Sequence, residues 1–199
     1  MKKFVTAFSF LILLSTASQA QEFRVGAHAG IDAASISLDN VSGGPLHFKS
    51  GLVGGVSIEA KLSKSFGLQL EGNYSRQGAS IIADGGGTGA QSFNFDYITV
   101  PLLVKVNATK GLNFLFGPQV GFMISAKSKM PGSPGGGVEE LFKPIGYHAV
   151  FGTEYQFPNG LSIGARYHFG INDISEGATG LGQIKSRYYN FRLGYSFSL

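Results

Sequence analysis

From Tyr189 to Leu199 an apolar or aromatic side chain stands at every second position. Tyr189, Phe191, Leu193, Tyr195, Phe197 and Leu199 share one face of a strand, and Asn190, Arg192, Gly194, Ser196 and Ser198 share the other. Bulky rings facing out and an Arg facing in is inside-out for a water-soluble sheet. It is the expected arrangement where the outer solvent is lipid and the enclosed space is polar. Strands that cross a bilayer must pair every backbone group, so they must close into a barrel.

The same alternation recurs upstream. Phe23, Val25, Ala27, Ala29 and Ile31 alternate with Arg24, Gly26, His28, Gly30 and Asp32. Val56, Ile58 and Ala60 oppose Ser57, Glu59 and Lys61, while Leu68, Leu70 and Tyr74 oppose Gln69, Glu71 and Asn73. Ile98 to Val106, Phe114 to Ile124, Tyr147 to Phe157 and Leu161 to Phe169 complete the set. With the C-terminal segment this predicts eight strands, each near the length a tilted transmembrane strand requires.

Connections alternate as well. Short turns are expected at Ser63 to Ser65, Asn107 to Gly111 and Pro158 to Gly160, all rich in turn residues. Long connections are expected through Asp39 to Ser50, Gly78 to Ser92, Lys127 to Lys143 and Asn172 to Ser186. Loop lengths segregated by end fit an up-and-down barrel with both termini on the periplasmic side. Gly85 to Gly87 and Pro131 to Gly137 read as loop tips, because neither follows a strand into a helix as a phosphate-binding loop would. Pro101 and Pro118 fall inside strands, where a missing N–H removes a ladder bond, so a bulge or strand end is expected at each.

The N-terminus predicts export. Lys2 and Lys3 precede a mostly apolar Phe4 to Leu14, and Ser18-Gln19-Ala20 supplies small residues for cleavage. Residues 1–20 are therefore expected to be a signal peptide, too short to span a bilayer as a helix, and residues 21–199 one barrel domain. The leader carries two lysines, so the formal charge of +4 overstates the basicity of what remains. No Lys/Arg-rich run is present, and nucleic-acid binding is not expected. With no Cys, neither a disulfide nor a lipidated cysteine can form.

The inward positions predict an interior charge network of Arg24, Asp32, Glu59, Lys61, Glu71, Lys105, Glu154, Arg166 and Arg192, five bases against four acids. Eight strands leave a lumen that side chains can fill, so these groups are expected to pair across it as a polar plug. A narrow ion path is the alternative. On the outer face Tyr74, Tyr147, Tyr155, Tyr167, Tyr189 and Tyr195 are expected at the membrane interfaces, where a phenol reaches water while its ring sits in lipid.

The run FKPIGYHAVFGTEYQFPNGLSIGARYHFGINDIS (Phe142 to Ser175), with YITVPLLVK (Tyr97 to Lys105) and FLFGPQVGFMISAK (Phe114 to Lys127), resembles the porin-family outer-membrane β-barrel proteins common in Bacteroidetes. These are related in architecture to the small OmpA/OmpX-like barrels. The chain departs from that pattern at Gly146, where an acidic residue is usual, and at Leu199, where an aromatic residue usually ends the assembly signal. The resemblance implies a fold and a location in the outer membrane, with no established transported solute.

Titratable neighbours do not form a catalytic set. His28 and Asp32 lie four residues apart on one strand face, about 13 Å along the strand. Asp173 lies beyond His168 at a loop, and Ser162 is farther still from it. No catalytic, cofactor or metal site is expected; the spacing of His28, His148 and His168 specifies nothing. The leading expectation is a non-enzymatic, monomeric outer-membrane barrel with a structural or surface role. Its expected partners are outer-membrane lipids and the assembly machinery, with lipopolysaccharide phosphates a candidate for the bases at Lys127, Lys129, Lys143, Lys185 and Arg187. A narrow channel comes second, a lipid-modifying enzyme third, and a soluble lipocalin-like barrel is the rival fold.

Overall fold

The computed structural model describes residues 22–38, 47–82, 90–129, 136–137, 143–172 and 184–199. The expected signal peptide and loop tips at Gly85 to Gly87 and 131–135 lie outside them. Nine strands are described: β1 (Phe23–Leu38), β2 (His47–Lys61), β3 (Phe66–Ile82), β4 (Ala90–Asn107), β5 (Leu112–Lys129), β6 (Gly136–Gly137), β7 (Ile145–Gln156), β8 (Leu161–Gly170) and β9 (Ile184–Ser198). All but β6 form one antiparallel barrel in the order β4-β3-β2-β1-β9-β8-β7-β5, closed by β4 on β5. β6 pairs two residues with the outer end of β5.

Side-chain direction follows the alternation. Phe191 is 50% exposed and Val100 37%, whereas the neighbouring Arg192 is 6% and Lys105 2% exposed. The apolar face is outside and the charge is enclosed, the reverse of a lipocalin-like barrel. Such a surface is stable only against hydrocarbon.

Ten-residue β8 rises about 23 Å at a 45° tilt, just enough for the hydrophobic band. Eighteen-residue β4 and β5 rise about 42 Å, so their outer ends stand clear of the bilayer. This corrects the expected loop boundaries. Gly78↔Asn94 and Ser80↔Ser92 are strand pairs, and β2 already runs from His47. Outside lipid the wall needs no apolar outer face, so the alternation fades while the ladder continues.

Neither proline interrupts its strand, contrary to expectation. Pairing of β3 with β4 keeps one register from Leu70↔Leu102 to Asn73↔Thr99, and Pro101 still pairs with Gln119 on its other side. Pro118 likewise pairs with Ala149 of β7. An antiparallel residue directs its N–H to one neighbour only, so each proline removes a bond on one side, about 1 kcal/mol, and pairing lapses there for two residues without a change of register. The shifts lie elsewhere, between Asp96 and Tyr97 against β5 and between Phe48 and Val53 against β3.

Short turns close one end. Gly111 and Gly160 have φ of 87° and 89°, a left-handed backbone that glycine adopts without strain. Each turn is tied to the next wall: Gln156 N donates to the Gly111 carbonyl at 2.7 Å, and Ser196 N to that of Gly160 at 2.9 Å. Leu199 N donates to the Phe23 carbonyl at 2.9 Å, placing the described ends of the chain together on this side.

Candidate functional site

The lumen carries the chemistry, arranged in levels along the axis. At the short-turn mouth Glu22 joins both outermost bases of the sequence network. Lys61 Nζ donates to it at 2.7 Å, Arg24 Nε at 2.9 Å and Ser198 Oγ at 2.7 Å. Lys61 first, then Ser198 and Arg24, hold the Glu22 carboxyl down at about 2. This mouth opens into a cavity of about 1080 Å³ whose lining includes Lys64, Lys110 and Asn107.

Above it Lys105 of β4 spans the lumen. Its Nζ donates to Glu59 of β2 and to Glu154 of β7, both at 2.9 Å. Neither strand is the neighbour through which the β3–β4 ladder runs, so the ammonium links walls that the backbone does not.

The next level centres on Glu71 of β3, which is buried. Arg166 of β8 approaches it through Nη1 at 2.9 Å and Nη2 at 2.8 Å, and Arg192 of β9 through Nη1 at 2.9 Å. Gln69 and Asn73 donate to the same carboxylate at 2.7 and 3.1 Å. Room for the long side chain comes from the neighbouring strand β7. A Cβ on Gly152, the partner of Arg166 in the ladder, would stand 2.6 Å from Arg166 Cγ. Between these two levels remains a cavity of about 30 Å³, enough for a water or two.

Beyond Glu71 amide and hydroxyl side chains carry the network on to Asp32. Arg192 Nε donates to Asn190 at 2.6 Å, and Asn190 and Ser75 both donate to Asp32, at 2.6 and 2.5 Å. Of the nine residues of the sequence-derived network, Arg24 and Lys61 are partly exposed beside Glu22, and Asp32, Glu59, Glu71, Lys105, Glu154, Arg166 and Arg192 are buried. Among the aromatics, Tyr155 and Tyr195 lie over the short turns, and Tyr74, Tyr147, Tyr167 and Tyr189 lie farther along the wall, Tyr167 and Tyr189 with ring centroids 5.0 Å apart.

The sequence reading missed Glu22, which precedes the first alternating residue. It also missed Tyr188, although strand parity with Asn190 and Arg192 places it inside. An apolar cluster of Leu103, Leu115 and Val150 sits within the lumen wall, with Gly117 between its strands. Parity with Lys105 puts Leu103 on the inward face, but its meeting with Leu115 and Val150 depends on how the strands pair.

The His and Asp neighbours weighed in the sequence do not meet one another among the described residues. His28 Nε2 pairs with Asn73 Oδ1 at 2.7 Å, and Asp32 is engaged elsewhere. His168 is stacked on Tyr188, and Asp173 lies outside the described residues. Among the described residues no three His, Asp or Glu converge on a metal position.

A closed barrel with its charge inside and its rings outside has a matching family. The profile of the outer membrane protein beta-barrel domain aligns with residues 18–176. The chain belongs to that family. Outer membrane protein beta-barrel domains reside in the outer membrane, and that is the location of this protein. Comparison with curated proteins found no match. Among solved structures, Neisserial surface protein A is 15% identical, with a TM-score of 0.54 over 88% of this chain and 97% of that one. The attachment invasion locus protein of Yersinia pestis, in complex with a heparin analogue, is 15% identical over 88% and 99% of the two chains with a TM-score of 0.49. OprG of Pseudomonas aeruginosa is 15% identical over 89% and 96%, with a TM-score of 0.43. At 15% identity the likeness to Neisserial surface protein A speaks for the fold alone.

Proposed function

We propose that this protein is a non-enzymatic outer-membrane barrel whose lumen is sealed by its own side chains and whose work is done at the cell surface. One observation carries the reading. Glu71 and Lys105 each hold side chains from non-adjacent strands, so two successive levels of ion pairs cross the lumen. A solute would have to break buried pairs and leave unpaired charge behind, a cost of several kcal/mol. The remaining cavity of 30 Å³ passes nothing larger than water.

The signal peptide ending at Ala20, insertion by the outer-membrane assembly machinery, and a monomeric state complete the proposal. The quoted sequence runs support a place among the small OmpA-like barrels of Bacteroidetes. At the outer rim Lys127 is exposed and Arg187 lies over the Phe169 ring with 5.0 Å to its centroid. Bases at that level support contact with lipopolysaccharide phosphates. Liposome swelling tests the sealed barrel. Vesicles carrying the refolded protein should swell in arabinose no faster than empty ones, and rapid swelling would favour the channel.

A further inference from the structure

Polar atoms that the charge clusters do not use gather farther along the lumen. Gln119 of β5 pairs in register with His148 of β7, and His168 of β8 pairs with Val150, two residues from His148 on the same inward face. The three side chains therefore occupy adjoining positions on three consecutive strands, and diagonal cross-strand neighbours of this kind lie within reach of one another. They are 2%, 5% and 2% exposed. Tyr188 of β9 closes the group. His168 stacks on its ring at 4.1 Å and 8°, His148 meets it edge-on at 5.7 Å, and Gln119 Nε2 donates to its hydroxyl at 2.8 Å.

Among the described residues, both nitrogens of both imidazoles and Gln119 Oε1 have no hydrogen-bond partner. Folded proteins rarely bury polar atoms this way, and such a concentration calls for a ligand. We propose that Gln119, His148 and His168 form a binding site for a borderline divalent transition-metal ion of the Zn²⁺ or Ni²⁺ class. The two imidazoles are the principal donors and the Gln119 amide oxygen the third. Neutral imidazole is the commonest protein ligand for such ions, and a nitrogen-rich set without a carboxylate selects against Mg²⁺ and Ca²⁺. Tyr188 fixes both rings and the amide, the orienting role that surrounding groups play at metal sites. No third His, Asp or Glu among the described residues joins these two imidazoles, so coordination positions stay open, unlike the closed set of a structural site.

The test is calorimetric titration of Zn²⁺ and Ni²⁺ into the refolded, untagged barrel, with heat-modifiable migration as the check on folding. One ion per barrel is expected, with affinity at least about tenfold weaker in His148→Ala and in His168→Ala. Absence of binding, or binding unchanged in the double variant, overturns the site. If the alanine variants do not fold, X-ray absorption on the Zn²⁺-loaded wild type decides. Scattering from two imidazoles is the supporting result, and fewer than two overturns the proposal.

Discussion

Arg166 and Glu71 stand on β8 and β3, strands separated in the barrel by β9, β1 and β2, yet the guanidinium and carboxylate meet at 2.8 Å. The pair is a strut across the barrel rather than a contact along a wall. Arg192 reaches the same carboxylate from the adjacent strand, so one acid holds two bases.

Replacing Glu71 therefore leaves two buried guanidiniums without a counter-charge. Glu71→Gln should destabilise the barrel by about 3–5 kcal/mol, the cost of orphaning a buried charge. Urea unfolding in lipid vesicles, read by heat-modifiable migration, measures it. A loss under about 1 kcal/mol would mean that water, not Glu71, balances the arginines.

Lys105 presents the opposite balance, one base between Glu59 and Glu154. Lys105→Met should be destabilising by a similar amount, because two buried carboxylates then face each other. Adding Glu154→Gln should recover part of the loss. A double-mutant cycle is expected to give coupling above about 1 kcal/mol, and additive effects would deny the contact.

Glu22 sets the pH response at the mouth. Its folded pKa of about 2 lies below the ordinary 4.5, so its contribution to stability is complete above pH 4.5 and is lost as pH falls through about 2. Wild type and Glu22→Gln should differ in midpoint at pH 6 and converge near pH 2. A difference that persists unchanged at pH 2 would show that the carboxylate charge is not what matters there.

Much of this was legible from alternation, because on a strand parity decides direction and one Arg among rings fixes which face is which. Arg192 within Tyr189 to Leu199 oriented β9, and its neighbours followed. Parity says nothing about reach. That Lys105 links Glu59 and Glu154, or that Glu71 gathers two arginines, depends on shear and strand order around the closed wall. Glu22 was hidden because it precedes the alternation. The prolines misled because a single strand does not reveal which neighbour each N–H addresses.

The lipid-facing claim has its own test. Leu193, 66% exposed and near the middle of β9's outer face, should tolerate Phe but not Arg. Leu193→Arg is expected to cost about 2–4 kcal/mol in vesicles, the penalty for a base at bilayer mid-depth. Little or no loss would place that face in water.

Planar-bilayer recording probes the sealed lumen most directly. Wild-type barrels should give no stable unit current at 100 mM salt and 100 mV, while Glu71→Gln, with its cross-lumen ties removed, should flicker open. Steady unit conductance in the wild type that disappears in Glu71→Gln or Arg166→Gln would contradict the plug and make those charges part of an ion path.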